Sequence, residues 1–456
     1  MILRVLSRLM SPRALPGVTA FLFLVLALVP ETKWRLRDPG AALSGIPDAQ
    51  NLTELALYGA IAAWIGWHLI RGLADGRYRP QTLGLAVLAL LFATIVVVAS
   101  GVTALSVRSL SRAVQYGIMT GMVLVIWWES VDDDRFFLEF WLQVRRGFVT
   151  FALLATVVTA VVPAFNGTVD DFGVQRYGWM RIHPIVTAGI IGLTLIMLVS
   201  AVFGLPDGLL RRRVYALAAG ATAVILILLL FLTKSRGATA ATLAALIVLL
   251  VLSRNRRYRR FALLGMAALA GVALLYFGLE SGSQQLESFV NRGQTTEQVL
   301  SLSQRTELFD IGLDYFRDQP VFGHGYMIPG ALLRTHFFWA GHAHNVALEI
   351  AIGMGIVGIT AFLAVVLVSI RGLWAWRVAS GALHGIGAEG AAILVLLLVQ
   401  GVISDGFGGP VGFEVAGLVL VVLIADLGVK RLRNPAQDAA GTLPGPREYD
   451  PGAEPS

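Results

Sequence analysis

The sequence predicts an all-α, polytopic membrane protein of about twelve transmembrane helices. Three observations lead there. Of its 456 residues, 56% are hydrophobic and only 14% charged, a balance that departs from water-soluble globular domains. Apolar runs near bilayer-spanning length recur along the chain, far longer than the roughly 10 residues of a barrel strand. In hydrocarbon every backbone polar group needs an internal partner, so runs of that length must be helices.

The expected spans lie near residues 14–30, 52–70, 83–101, 112–128, 148–164, 184–204, 214–232, 238–252, 261–278, 345–369, 391–403 and 411–427. The first run follows Arg4, Arg8 and Arg13, as a signal peptide would. No small-residue cleavage site follows it and further spans do, so a retained signal anchor is expected. Orientation comes from arginine, which stays in short cytoplasmic loops. With the N-terminus inside, every second connection carries it: Arg71, Arg77 and Arg79; Arg135, Arg145 and Arg146; Arg211 to Arg213; Arg254 to Arg260; Arg371 and Arg377; and last Lys430, Arg431 and Arg433. Both termini are therefore expected inside. The stretch 279–343, between spans nine and ten, is the large outer loop. Within it Leu308, Ile311, Leu313, Tyr315 and Phe316 are spaced for an amphipathic helix over Gln304–Phe316, stopped by Pro320, Gly323 and Gly325. Residues 1–433 thus read as one transmembrane domain. The Pro-, Gly- and acid-rich stretch 434–456 reads as a disordered cytoplasmic tail.

The net charge of +7 is carried by the topology-setting loops, where it meets anionic lipid, so no nucleic-acid partner is expected. Cysteine is absent, which removes disulfides, thiolate nucleophiles and cysteine metal sites. Positive charges on the outer side run against the topology bias: Lys33, Arg35 and Arg37 in the first outer loop weaken the contrast, and Arg176 and Arg181 between spans five and six, with Arg236 in the turn after span seven, call for a reason. Snorkelling to headgroups, or pairing with Asp170 or Asp171, is one explanation. The other is a polyanion site, since planar, permanently charged guanidinium suits a diphosphate. Arg305 is a further member. His342 and His344 stand directly before the tenth span, where a histidine is either a helix cap or a base in a polar pocket. A His-x-His pair also suggests metal, but His183, His324 and His336 are separate and no acidic group completes a zinc or calcium spacing. Neither a metal nor a cofactor is expected. These residues leave enzyme and transporter both open.

Several segments resemble, in order, the O-antigen ligase and O-antigen polymerase superfamily of bacterial envelope proteins. They are Ser235-Arg236-Gly237, the run from Arg305 to Leu308, Pro320 to Gly325, His344 to Glu349, and Gly353 to Gly358. The resemblance implies about twelve helices, a periplasmic loop between late spans, and transfer of glycan from undecaprenyl diphosphate at the periplasmic face of the inner membrane. It assigns the essential histidine to His344 and donor-binding arginines to Arg236 and Arg176. Arg181 ranks below them because it lies where the family varies, and the His183-Pro184 ending departs from the family's Asn-Pro, leaving His183 without a firm role. The glycines of 353–358 are expected to serve close helix packing. Ligase chemistry would use lipid A–core as acceptor; polymerase chemistry would extend another lipid-linked repeat. The moderate size of the outer loop favours ligase. A transporter would instead show internal repeats and broken helices with mid-membrane polar groups.

The charge pattern makes a topological prediction. Single cysteines placed at 176, 236, 305 and 344 of this cysteine-free chain should react with an impermeant thiol reagent from the periplasmic side, and those at 212 and 257 from the cytoplasmic side. Cytoplasmic-only labelling at 344 would remove the proposed site.

Overall fold

The computed structural model describes residues 14–32, 49–79, 83–131, 133–162, 165, 168–169, 175–203, 210–253, 305–337, 340–376 and 382–433. They form a helical bundle: α1 (Leu15–Leu28), α2 (Ala49–Ala74), α3 (Leu85–Thr103), α4 (Val107–Val131), α5 (Asp134–Val161), α6 (Pro184–Phe203), α7 (Leu210–Leu232), α8 (Arg236–Leu252), α9 (Arg305–Asp318), α10 (Pro329–Leu333), α11 (Val346–Ala375), α12 (Ala382–Gly401) and α13 (Phe413–Arg433). The one ladder among these residues joins β1 (Thr168–Val169) to β2 (Gln175–Arg176), antiparallel, with Thr168 opposite Arg176. A helix stands at each expected span except 261–278, which lies outside the described residues, as do 279–304 of the outer loop and the tail 434–456. Among the described residues five helices are long and apolar enough to cross a membrane: α3, α4, α5 from Arg135, α6 to Val202, and α11. The chain is a membrane protein.

Helix α13 is the axis. It packs on α1, α3, α4, α6, α11 and α12, and from Val415 to Ala425 its side chains are fully buried. A helix apolar all round must be enclosed. Its buried Asp426 caps a neighbour: Oδ1 and Oδ2 accept the N–H groups of Ala86 and Val87 at 2.9 and 2.8 Å. These are orphan donors in the first turn of α3, where negative charge is favoured.

Two boundaries differ from the sequence expectation, and one interaction explains both. The charged stretch with Arg135, Arg145 and Arg146 is expected as a loop, yet it lies inside α5. Phe137, Phe140, Trp141, Val144 and Phe148, at helical spacing, are all buried. Helix α12 starts at Ala382, ahead of the expected 391. Its Glu389, fully buried, accepts from Arg145 Nε at 3.1 Å, and its other oxygen accepts from Arg145 Nη2. Ser200 Oγ and Trp141 Nε1 also donate to it, at 2.8 and 3.2 Å. Each charge argues against a buried span alone, whereas together they are paired and hydrogen-bonded.

Helix α11 is broken. Gly355 has φ 62° and ψ −158°, a backbone state essentially confined to glycine. The loop 320–326 lies along the break: His324 and Gly325 N–H donate to the carbonyls of Ile352 and Gly353, both at 2.8 Å, and Ile356 and Val357 N–H donate to Pro320 and Val321 carbonyls at 2.8 and 3.3 Å. The glycines of 353–358 therefore serve close approach, as expected, but of a loop to an opened helix rather than of helix to helix. A Cβ on Gly323 would stand 2.5 Å from the Gly353 carbonyl carbon. The remaining stretch, 356–375, is about 30 Å long by itself, the thickness of the hydrocarbon core.

Gly355→Ala should destabilise the protein by at least the roughly 1–3 kcal/mol of such backbone strain, because its Cβ would also lie 2.3 Å from the Val321 carbonyl oxygen. Gly59→Ala, with nothing within 4 Å of the new methyl, is the control. Equal thermal midpoints for the two variants in one detergent would show that the break does not depend on glycine.

Candidate active site at one end of the bundle

The segment His342–Glu349 folds as a cap. Asn345 is the N-cap of α11, its side-chain oxygen accepting from Leu348 N–H at 3.1 Å while its Nδ2 donates to the Val402 carbonyl at 3.3 Å. Glu349, buried in the first turns, reaches back and accepts the Ala343 N–H at 2.7 Å, an arrangement akin to a capping box. Held from both sides, the backbone at His344 takes φ 51°. Left-handed backbone at a non-glycine residue is uncommon and concentrates at functional sites.

This turn stacks the two histidines, with ring centroids 4.0 Å apart and planes at 43°. His342 Nδ1 accepts the His344 N–H at 3.0 Å, so a neutral His342 carries its proton on Nε2. Asp405 Oδ1 lies 4.0 Å from the same Nδ1. Burial, then the charges of His342, Arg305 and His183, push the His344 imidazole down to about 2. His342, Arg305 and His183 are thus within electrostatic reach of His344. Arg305 opens α9, whose Leu308 and Gly312 are buried; a Cβ on Gly312 would meet Leu348 and Ile352 of α11 at 2.8 and 3.2 Å. The expected amphipathic helix is present over Arg305–Asp318, and it sets its first residue beside the histidines. His183 precedes α6, its carbonyl accepting from Thr187 N–H at 2.9 Å.

Arg176 and Arg236 converge on one turn. Arg176, buried at 4% exposure, donates from Nε to the Thr233 carbonyl at 3.0 Å, and Tyr177 N–H donates to Leu232 at 3.0 Å. Arg236 starts α8 three residues later. The turn reaches the histidine loop through the 402–405 segment: a Cβ on Gly237 would meet Ile403 at 2.0 Å, and Val402 is the residue that holds Asn345. Arg181 sets its guanidinium 5.6 Å from the Phe165 ring centroid.

Asp405 receives no role from the sequence, and Glu349 is visible there only as part of a motif. An acid in the first turns of a helix behind an Asn cap is the signal that finds Glu349. Nothing local announces Asp405. Among the described residues no group of three or more His, Asp or Glu side chains is placed to hold a metal.

One end of the helical bundle thus holds a buried histidine and a turn on which two arginines converge. Residues 221–363 match the family model described as O-antigen ligase. The match contains Arg236, Arg305, His342 and His344, and the similarity to that family is confined to this segment. No curated protein matches the chain.

The folded state holds His344 neutral, while an unfolded histidine binds a proton near about 6.5. The unfolded chain therefore takes up more protons below that value, and stability is lost as pH falls through it. His344→Gln removes this contribution. Lowering pH from about 7.5 to about 4.5 should depress the melting midpoint of His344→Gln less than that of the parent; equal depressions would mean that His344 is not held neutral.

Proposed function

We propose that the protein is an O-antigen ligase of the bacterial inner membrane, acting at the periplasmic face without a metal or cofactor. Its donor is a glycan linked to undecaprenyl diphosphate and its acceptor a sugar hydroxyl of lipid A–core. The observation that carries this reading is the His344 turn: a neutral imidazole at a strained backbone position, with Arg305 within electrostatic reach and the Arg176–Arg236 turn connected to it through 402–405.

In the reaction the acceptor O–H gives its proton to an unprotonated His344 nitrogen as its oxygen bonds to the anomeric carbon. The bond from that carbon to the diphosphate oxygen breaks, the electron pair leaves with undecaprenyl diphosphate, and the anomeric configuration inverts. Arg176, Arg236 and Arg305 hold the charge that develops on the leaving group, with Arg181 at the margin and His342 and His183 as secondary members. Imidazole depressed to about 2 is a weak base in the empty site. A diphosphate bound beside it adds negative charge that opposes its cationic neighbours and raises its basicity, so donor binding itself primes His344.

The break in α11 is a device that transporters use to expose backbone groups to substrate. Here the loop 320–326 takes those groups, which favours transfer over transport. A polymerase would share the donor site and differ in acceptor. Reconstituted protein given lipid-linked donor and purified lipid A–core separates the three readings by product: lipopolysaccharide, longer lipid-linked chains, or donor moved across the bilayer.

His344→Ala should lower transfer roughly 10²–10⁴-fold with donor binding nearly intact, because proton acceptance acts in the transition state. Arg236→Lys should weaken both, since an ammonium cannot make the two-pronged contact. A His344→Ala protein with normal turnover rules out the base, and an Arg236→Lys protein unchanged in both measurements removes Arg236 from the donor site.

A further inference from the structure

A second pair of arginines stands at the same end of the bundle, on another flank. Arg108 and Arg112 occupy the first turns of α4, which packs on α2 and α3, whereas Arg236 opens α8, which packs on α6 and α12. Tyr326 connects this flank to the histidine loop. Fully buried, it donates its N–H to Ser100 Oγ at 2.8 Å, accepts from Ser109 Oγ at its carbonyl, and donates its hydroxyl to the Gly409 carbonyl at 2.7 Å. Burial raises its phenol pKa, with Tyr116, Asp405 and Glu349 adding to the rise and Arg112 opposing it, so Arg112 approaches the same side chain as the two acids of the proposed catalytic end. Arg108 is itself within electrostatic reach of Glu349.

Two further features make this flank more than a pair of surface charges. The hydroxyls of Tyr58 and Tyr116 are buried and have no hydrogen-bond partner among the described residues, and buried polar groups are ordinarily satisfied. Tyr116 stands one helical turn below Arg112, and Tyr58, on α2, is within electrostatic reach of Arg112. Beside the arginines, the tip of the α3–α4 hairpin exposes Leu105 at 94% and Val107 at 84%, and the adjoining 320–326 loop exposes Phe322 at 73%. The two tips touch, since a Cβ on Gly325 would lie 2.5 Å from that of Ala104. Guanidinium groups above an apolar rim, with buried hydroxyls alongside, suit an amphiphile whose anionic head is phosphate and whose body is acyl chain.

We propose that Arg108 and Arg112, with the Tyr58 and Tyr116 hydroxyls, bind a phosphate of the acceptor glycolipid, and that Leu105, Val107 and Phe322 receive its acyl portion. This rests on the transfer reading for the word acceptor. Donor and acceptor then reach His344 from separate flanks, each through its own arginine pair, which keeps two anionic lipids from competing for one site.

The test is equilibrium binding in nanodiscs of lipid A–core and of its phosphatase-treated form to the parent protein and to Arg108→Gln/Arg112→Gln. The double variant should bind the phosphorylated form roughly ten-fold or more weakly, the usual scale for losing charge-assisted hydrogen bonds. It should bind the dephosphorylated form and the lipid-linked donor as the parent does. Tyr58→Phe should give a smaller loss for the phosphorylated form. Undiminished binding of phosphorylated lipid A–core overturns the site; an equal loss for the donor overturns its assignment to the acceptor, as does equal competition by phosphatidylglycerol. Binding is read without turnover, so a parent protein that binds but never transfers glycan refutes the proposed function, not this site.

Discussion

A membrane interior does not permit unpaired backbone, and the site described above is built where that rule is met by a loop instead of a helix. Opening α11 at Gly355 frees carbonyl and amide groups that would cost several kcal/mol each if left bare. The loop 320–326 pairs with them on both sides of the opening. That pairing fixes the loop, and the loop carries Tyr326 into hydrogen bonds with Ser100, Ser109 and Gly409. It thereby ties α3 and α4 to the turn that holds Asp405. The short first half of α11, capped by Asn345 and braced by Glu349, is left to present His344. Removing the break would therefore disturb the histidine by way of its scaffold, without touching it.

The electrostatics of the site follow from the same economy of placement. Burial first, and the charged groups near it second, keep the His344 imidazole neutral, and in the proposed reaction the arginines among those groups are the ones that would attract a diphosphate. On that proposal one arrangement couples recognition of the leaving group to activation of the base.

How much of this was legible in sequence differs by the kind of signal. Span positions follow from apolar runs, and the structure has a helix at each described one. The amphipathic spacing from Leu308 to Phe316 gives α9 almost to the residue. What fails is the treatment of charge. Arg145 reads as a loop marker, and the span expected from 391 leaves Glu389 outside it, because one-dimensional hydropathy cannot see that they neutralise one another across 244 positions. The break at Gly355 is hidden for a related reason: glycine spacing announces close approach but not what approaches. His342, His344, Arg176, Arg236 and Arg305 are visible in the sequence as candidates because histidine and arginine stand out against an apolar background. Asp405 and Tyr326 are not, since their importance comes from partners distant in sequence.

The position of α13 bears on how such a protein is made. The helix that contacts six others and buries nearly every side chain is the last described one to leave the ribosome. The earlier helices must enter the bilayer without their axis, and α3 must wait for Asp426 to satisfy its first turn. Assembly is then a late condensation in which prefabricated hairpins close around a latecomer. A quality-control protease meeting the chain before that moment would find a set of unlocked helices, and afterwards a sealed bundle.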